Sequence, residues 1–332
     1  MTVHGFPGYR QTDTFPTINE VLDGNGNTPR IYVDTPPDSI WRYSGGGYTV
    51  MEKVVEDISG LPLEKYMKTN ILQPLEMNSS TYEQPLPRKY HDKASAAYDS
   101  QGRIIEGLWH NYPEQAAAGL WTTPTDLARY CIAIQEIAAG KSVSVLSKET
   151  IGMMLTRHKN DWGLGPALAS KGDSLRFQHG GKNEGFTNNM IAFANTGDAV
   201  IVMTNADNGG ALIGEILRSA SNYYQWEFAR QRIVELADPE TYNIEKFLGK
   251  YLYTDKVPGI GDYIVELTRE DKKIIVVDPN NGDNNIMYAM DSLHFIDLNN
   301  GDEMIFNMKE DQVEFTWNNN FKFQKLEKLD LE

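Results

Sequence analysis

Tyr43-Ser44-Gly45-Gly46-Gly47-Tyr48 is the stretch around which the chain is organised. Trp41-Arg42 leads into it. Met51, Val54, Val55 and Ile58 follow at helical spacing, so the glycines open a helix with one apolar face. Ser59-Gly60 ends that helix, glycine being the residue that most readily takes a left-handed cap. Three glycines beside a tyrosine let the backbone pass close to a ligand and hold a phenol at a pocket wall. An ordinary Gly-rich turn with a packing tyrosine is the plainer alternative.

On either side the chain reads as follows. Residues 10–40 are turn-rich, punctuated by Asp23-Gly24-Asn25-Gly26-Asn27 and Thr35-Pro36-Pro37-Asp38. A second helix is expected over Leu63 to Leu72, and residues 78–112 are irregular and rich in aromatics. Thr123 then fits an N-cap, Pro124 a first helical turn, and Asp126 a place where the helix dipole favours an anion. From Trp162 the pattern changes to strands. These run through Leu175-Arg176-Phe177-Gln178 into His179-Gly180-Gly181-Lys182-Asn183-Glu184-Gly185-Phe186, and a hairpin turns at Asn195-Thr196-Gly197-Asp198. A helix runs from about Gly210 to Trp226, and Asp238-Pro239 marks the domain boundary. Beyond it, short alternating segments separated by turns predict a small antiparallel barrel or sandwich.

Composition bounds the function. A chain of 332 residues suggests about two domains. Its net charge of -15 argues against a nucleic-acid groove, because phosphate binding needs clustered Lys and Arg. More than half of the acidic excess lies beyond residue 238, where it serves solubility. The single cysteine, Cys131, shares helical spacing with Leu127, Ile134 and Ala138 and reads as a core residue. No apolar run is long enough to cross a membrane, and no signal peptide precedes the first motif. The histidines show no metal-ligand spacing, so neither a metal nor a cofactor is expected.

Several motifs together resemble the serine hydrolases related to class C β-lactamases, D-alanyl-D-alanine carboxypeptidases and their esterase relatives. Tyr43-Ser44-Gly45 stands at the place of that family's Tyr-x-Asn, and His179-Gly180-Gly181 at its Lys-Thr-Gly or His-x-Gly strand. Gly119-Leu120-Trp121-Thr122-Thr123 with Asp126-Leu127 is similar to its Gly-Gly-Leu-x-Ser-Thr-x-x-Asp-Leu segment. Gln73-Pro74-Leu75-Glu76-Met77 is similar to its Pro-Leu-Gly-Met. Leu248-Gly249-Lys250-Tyr251 resembles the opening of a lipocalin-like barrel carried by some members. The resemblance implies an α/β (α+β) fold of the β-lactamase/penicillin-binding-protein type over residues 1–237. This is an antiparallel sheet flanked by helices, incomplete at its N-terminus, with an all-β barrel over 240–332.

The chemistry implied is acyl transfer, in which a serine hydroxyl becomes nucleophilic once a neighbouring base takes its proton. By resemblance the catalytic residues are Tyr43, as general base or proton shuttle, and His179, which lines the opposite wall and shares protons or contacts substrate. Gly180 and Gly181 border the site, and the Lys182 backbone N–H is half of an oxyanion hole. Ser44 and Gly45 are expected in the substrate-binding wall: Ser44, the serine nearest Tyr43, stands at a position the family uses as a spacer and not as nucleophile, and Gly45 replaces the amide that helps hold β-lactam and peptide substrates. Tyr112 and Trp121 line the pocket or pack the core. One part is missing: no serine is followed by lysine three residues later, so the Ser-x-x-Lys nucleophile motif is absent. The family carries it upstream of residues resembling Gly5-Phe6-Pro7-Gly8-Tyr9, so the chain reads as beginning partway through the domain and as inactive in this form. The expected partner is a small-molecule or peptide-like acyl substrate, with self-association through the surface that a missing segment leaves. The resemblance implies a periplasmic or secreted location. A non-catalytic binding or scaffold protein that keeps the pocket is the alternative.

Overall fold

Helices dominate the first part of the chain, a four-stranded sheet and one further helix follow, and the rest is mostly strands. The computed structural model describes residues 1–326 apart from 143, 231–232, 255–261, 280–282, 300 and 310–311. It divides into two compact units, Met1–Ala229 and Arg230–Glu332. The division falls earlier than Asp238-Pro239 because the approach to the barrel already belongs to it. The Ala237 N–H donates to the Ala289 carbonyl at 2.9 Å, and Ala237 packs on the barrel core.

The first unit holds helices α1 (Ile18–Asp23), α2 (Gly45–Ser59), α3 (Leu63–Met67), α4 (Gln115–Ala118), α5 (Pro124–Ala138), α6 (Lys148–Met154) and α7 (Gly210–Tyr224). Its strands are β1 (Ala167–Ala169), β2 (Arg176–Asn183), β3 (Phe186–Phe193) and β4 (Ala199–Thr204), an antiparallel sheet in sequence order. The β2–β3 register sets His179 opposite Met190 and Lys182 opposite Thr187. α5 begins as its sequence dictates. Thr123 Oγ1 accepts the Asp126 N–H at 3.2 Å, and Pro124 opens the first turn. Cys131, Ile134 and Ile137 of α5 are buried with Ile151 of α6 and with Leu168, Phe177 and Ala192 of the sheet. Burial pushes the Cys131 thiol up to about 12, so it is a core residue and no nucleophile.

α2 corrects the reading of its own sequence. Its apolar stripe is the uncovered one, with Met51 50%, Val54 49% and Ile58 83% exposed. The buried side is Gly45, Gly46, Thr49 and Glu52. The reason is close backbone approach. The Gly45 and Gly46 N–H groups donate to the His4 and Val3 carbonyls at 3.1 and 3.0 Å. A Cβ on Gly46 would lie 2.6 Å from the Thr2 carbonyl oxygen. Gly45 and Gly46 therefore make room for the chain's own N-terminal segment.

The second unit is a closed eight-stranded barrel. Its strands are β5 (Gly249–Tyr253), β6 (Ile264–Glu270), β7 (Lys273–Asp278), β8 (Asp283–Ala289), β9 (His294–Asp297), β10 (Glu303–Lys309), β11 (Gln312–Trp317) and β12 (Phe321–Lys325). β12 pairs back onto β5, which removes the exposed edges of an open sheet. Aromatic rings stand among the aliphatic residues of the barrel's buried core. Phe247 stacks on Phe306 at 3.9 Å between ring centroids and Phe315 on Phe323 at 4.7 Å, with Tyr251 and Phe295 buried among them. The closed barrel agrees with the expectation drawn from Leu248-Gly249-Lys250-Tyr251, and aromatic side chains form much of its buried core among the described residues.

Candidate active site

The first unit carries a cleft of about 1080 Å³. Tyr43 precedes the N-cap of α2, and His179 lies at the middle of β2. Their rings are 6.3 Å apart between centroids, and both line the cleft. Trp162 sits against both, 6.0 Å from Tyr43 and 5.7 Å edge-on to His179, with Trp41 stacked on it at 5.4 Å. These rings fix the Tyr43 and His179 side chains and leave Tyr43 39% exposed. His179 Nδ1 meets the Gly180 carbonyl, which can only accept. In the neutral ring this leaves Nε2 as the acceptor.

The remaining expected residues fall as follows. Gly45, Gly180, Gly181 and Lys182 line the cleft. Gly181 has a spatial reason, since a Cβ there would lie 2.8 Å from Asn188 Oδ1. Tyr112 is a buried wall residue whose hydroxyl accepts the Glu184 N–H at 2.9 Å, and burial holds its phenol above the usual range. Trp121 is fixed by reciprocal 2.9 Å backbone bonds with Thr81, and its ring meets Trp109 and Phe186 edge-on. Ser44 is not among the lining residues. Its Oγ accepts the Gly47 N–H at 3.0 Å as the α2 cap and donates to the carbonyls of Thr2 or Val3. Among hydroxyl residues Thr156 does precede a lysine, Lys159, by three positions. Its Oγ1 donates to the Gly152 carbonyl, Lys159 pairs with Asp38, and neither residue lines the cleft.

Sequence reasoning missed the cleft's floor. α4 lies between the cleft and two buried acids. On the cleft side, Asn183 Nδ2 donates to the Ala118 carbonyl at 2.8 Å and Gln84 Nε2 to the Gly119 carbonyl at 2.9 Å. Behind it, Glu52 of α2 accepts the Ala116 N–H at 2.8 Å. Burial pushes the Glu52 carboxyl up to about 8, with Glu56, Glu114 and Glu64 adding to it. Glu114, 0% exposed, caps nothing with its side chain. Neither of its oxygens meets a partner among the described residues, and burial pushes it up to about 7. Trp162 was also missed; its flanking glycines in Trp162-Gly163-Leu164-Gly165 were the available signal.

Comparison with known proteins gives the family and the fold. The family model described as Beta-lactamase matches residues 4–219. A teichoic acid D-alanine hydrolase of Staphylococcus aureus is 30% identical over 96 residues, covering 28% of this chain and 24% of the relative. The chain thus spans about a quarter of the length of the curated relatives it matches. The octameric penicillin-binding protein homologue from Pyrococcus abyssi superposes with a TM-score of 0.53 at 18% identity, over 95% of this chain and 72% of that one. The D-amino acid amidase from Ochrobactrum anthropi SV3, complexed with L-phenylalanine amide, gives 0.51 at 18% identity, over 66% and 67%. These two structures share the fold.

Proposed function

The chain belongs to the beta-lactamase family, and from that premise we propose that its cleft serves acyl-enzyme hydrolysis of an ester or amide. The convergence of Tyr43 and His179 on one cleft, 6.3 Å apart, carries the reading. In this scheme Tyr43, as the phenolate, takes the proton of a seryl hydroxyl as the seryl oxygen bonds to the substrate carbonyl carbon. The C=O electron pair moves onto oxygen, beside the Lys182 N–H. Collapse then expels the leaving group, which takes the proton. Water repeats the sequence, releasing the acid and restoring the hydroxyl. One feature supports the oxyanion position: β1 pairs with β2 only as far as Gln178, so the edge from His179 to Asn183 opposite β3 meets no described strand.

The nucleophile is the part these residues do not supply, since no serine is followed by lysine three positions later. The 332-residue chain by itself therefore does not acylate. A binding or scaffold role is the second reading, favoured by the engagement of the Ser44 hydroxyl in the α2 cap. A fluorophosphonate probe separates the two. The expected result is no labelling of this chain and one label per chain in a longer polypeptide that adds the Ser-x-x-Lys helix. Stoichiometric labelling of the 332-residue chain overturns the assignment of roles, and an unlabelled longer polypeptide establishes the scaffold reading.

A further inference from the structure

The cleft does not share the charge of the chain that bears it. The protein carries 46 Asp and Glu against 31 Lys and Arg, yet the cleft is lined by Lys93 and Lys182 against one carboxylate, Glu184. Lys93 has no acid partner among the described residues. It ends the 3₁₀ helix Arg88–Lys93, in which residues three apart eclipse, so Tyr90 shares its side. Both line the cleft. Tyr90 also belongs to one apolar cluster with Trp121 and Phe186, built on buried Leu86 and Trp109. Edge-to-face contacts at 5.4 Å (Trp109–Trp121) and 5.8 Å (Trp121–Phe186) hold these rings in place. Lys89 stands over the Tyr90 ring at 4.9 Å. The result is a fixed aromatic wall with an unpaired ammonium at its rim.

We propose that this wall is a subsite for a flat apolar group that ends in a carboxylate. The ring packs against Tyr90, Trp121 and Phe186, and the carboxylate meets Lys93. The identity of the bound group as part of an ester or amide substrate rests on the hydrolase reading. Its binding does not, because no bond is made or broken.

The test is calorimetric titration of the 332-residue chain with phenylpropionate and with phenylpropanol, its uncharged counterpart. The acid is expected to bind about 2- to 5-fold more tightly than the alcohol, the range of an exposed ion pair. Lys93→Met is expected to abolish that difference while the alcohol binds as before. Phe186→Leu is expected to weaken both ligands about 10-fold through loss of ring contact, and far-ultraviolet circular dichroism checks that it folds. Equal binding of acid and alcohol, an unchanged preference in Lys93→Met, or no binding of either ligand overturns the subsite. None of these outcomes bears on serine labelling, so the subsite and the hydrolase reading fail separately.

Discussion

Replacing Glu52 by Gln should stabilise the first unit, and the gain should appear only as pH rises. Glu52 is 2% exposed, and its carboxyl moves from 4.5 to about 8 on folding. Because the folded value is the higher one, the stability contributed by the neutral acid is fully present below 4.5. It is lost as pH rises through about 8. A tenfold change in proton affinity corresponds to about 1.36 kcal/mol, so the full loss is on the order of 3–5 kcal/mol after some relaxation of the surroundings. Glutamine keeps the acceptor for the Ala116 N–H and cannot ionise. Urea unfolding at about pH 5 and about pH 9 should therefore give nearly equal stabilities for the two proteins in acid. In base the variant should be more stable by roughly 3 kcal/mol. Parallel pH profiles would refute the reasoning, because they would mean that Glu52 is not buried against α4. Glu52→Ala is the counter-control. It leaves the Ala116 N–H without an acceptor and should cost about 1–3 kcal/mol in acid.

Gly46→Ala places a Cβ 2.6 Å from the Thr2 carbonyl and should lower stability by about 1–3 kcal/mol in thermal unfolding. Asp126→Ala removes the acceptor of the Ser79 N–H at 2.8 Å and the Ser80 hydroxyl at 2.7 Å. Urea unfolding should show a loss of about 1–3 kcal/mol. Phe306→Ala opens the barrel core and should cost about 3–5 kcal/mol in the second unit, read as faster hydrogen exchange in β10 and β11.

What the sequence disclosed was whatever is decided locally. The α5 start follows from Thr123 and Pro124 within one turn, and the barrel strands follow from alternation and turns in single short segments. Tyr43 and His179 came from short motifs, and the sheet brings them together. The features that were not legible depend on partners distant in sequence. The packing of Gly45 and Gly46 against Thr2, Val3 and His4 could not be read from the glycine run itself. Burial of Glu52 in place of Met51 follows from that approach, since the glycine side must face inward and carries Glu52 with it. Glu114 has no local signal, because a carboxyl without a partner leaves no pattern. Thr156 and Lys159 show the converse, a spacing that fits a motif at a position away from the cleft.

The central claim is that Tyr43 moves the proton in acyl transfer at this cleft. Its most direct test is burst kinetics with an activated ester in a longer polypeptide that adds the Ser-x-x-Lys helix to this chain. Tyr43 is 39% exposed, so Tyr43→Phe should leave the fold intact. The acylation burst is predicted to slow by about 10²–10⁴-fold in that variant. A burst in Tyr43→Phe at the rate of the unsubstituted polypeptide would contradict the account.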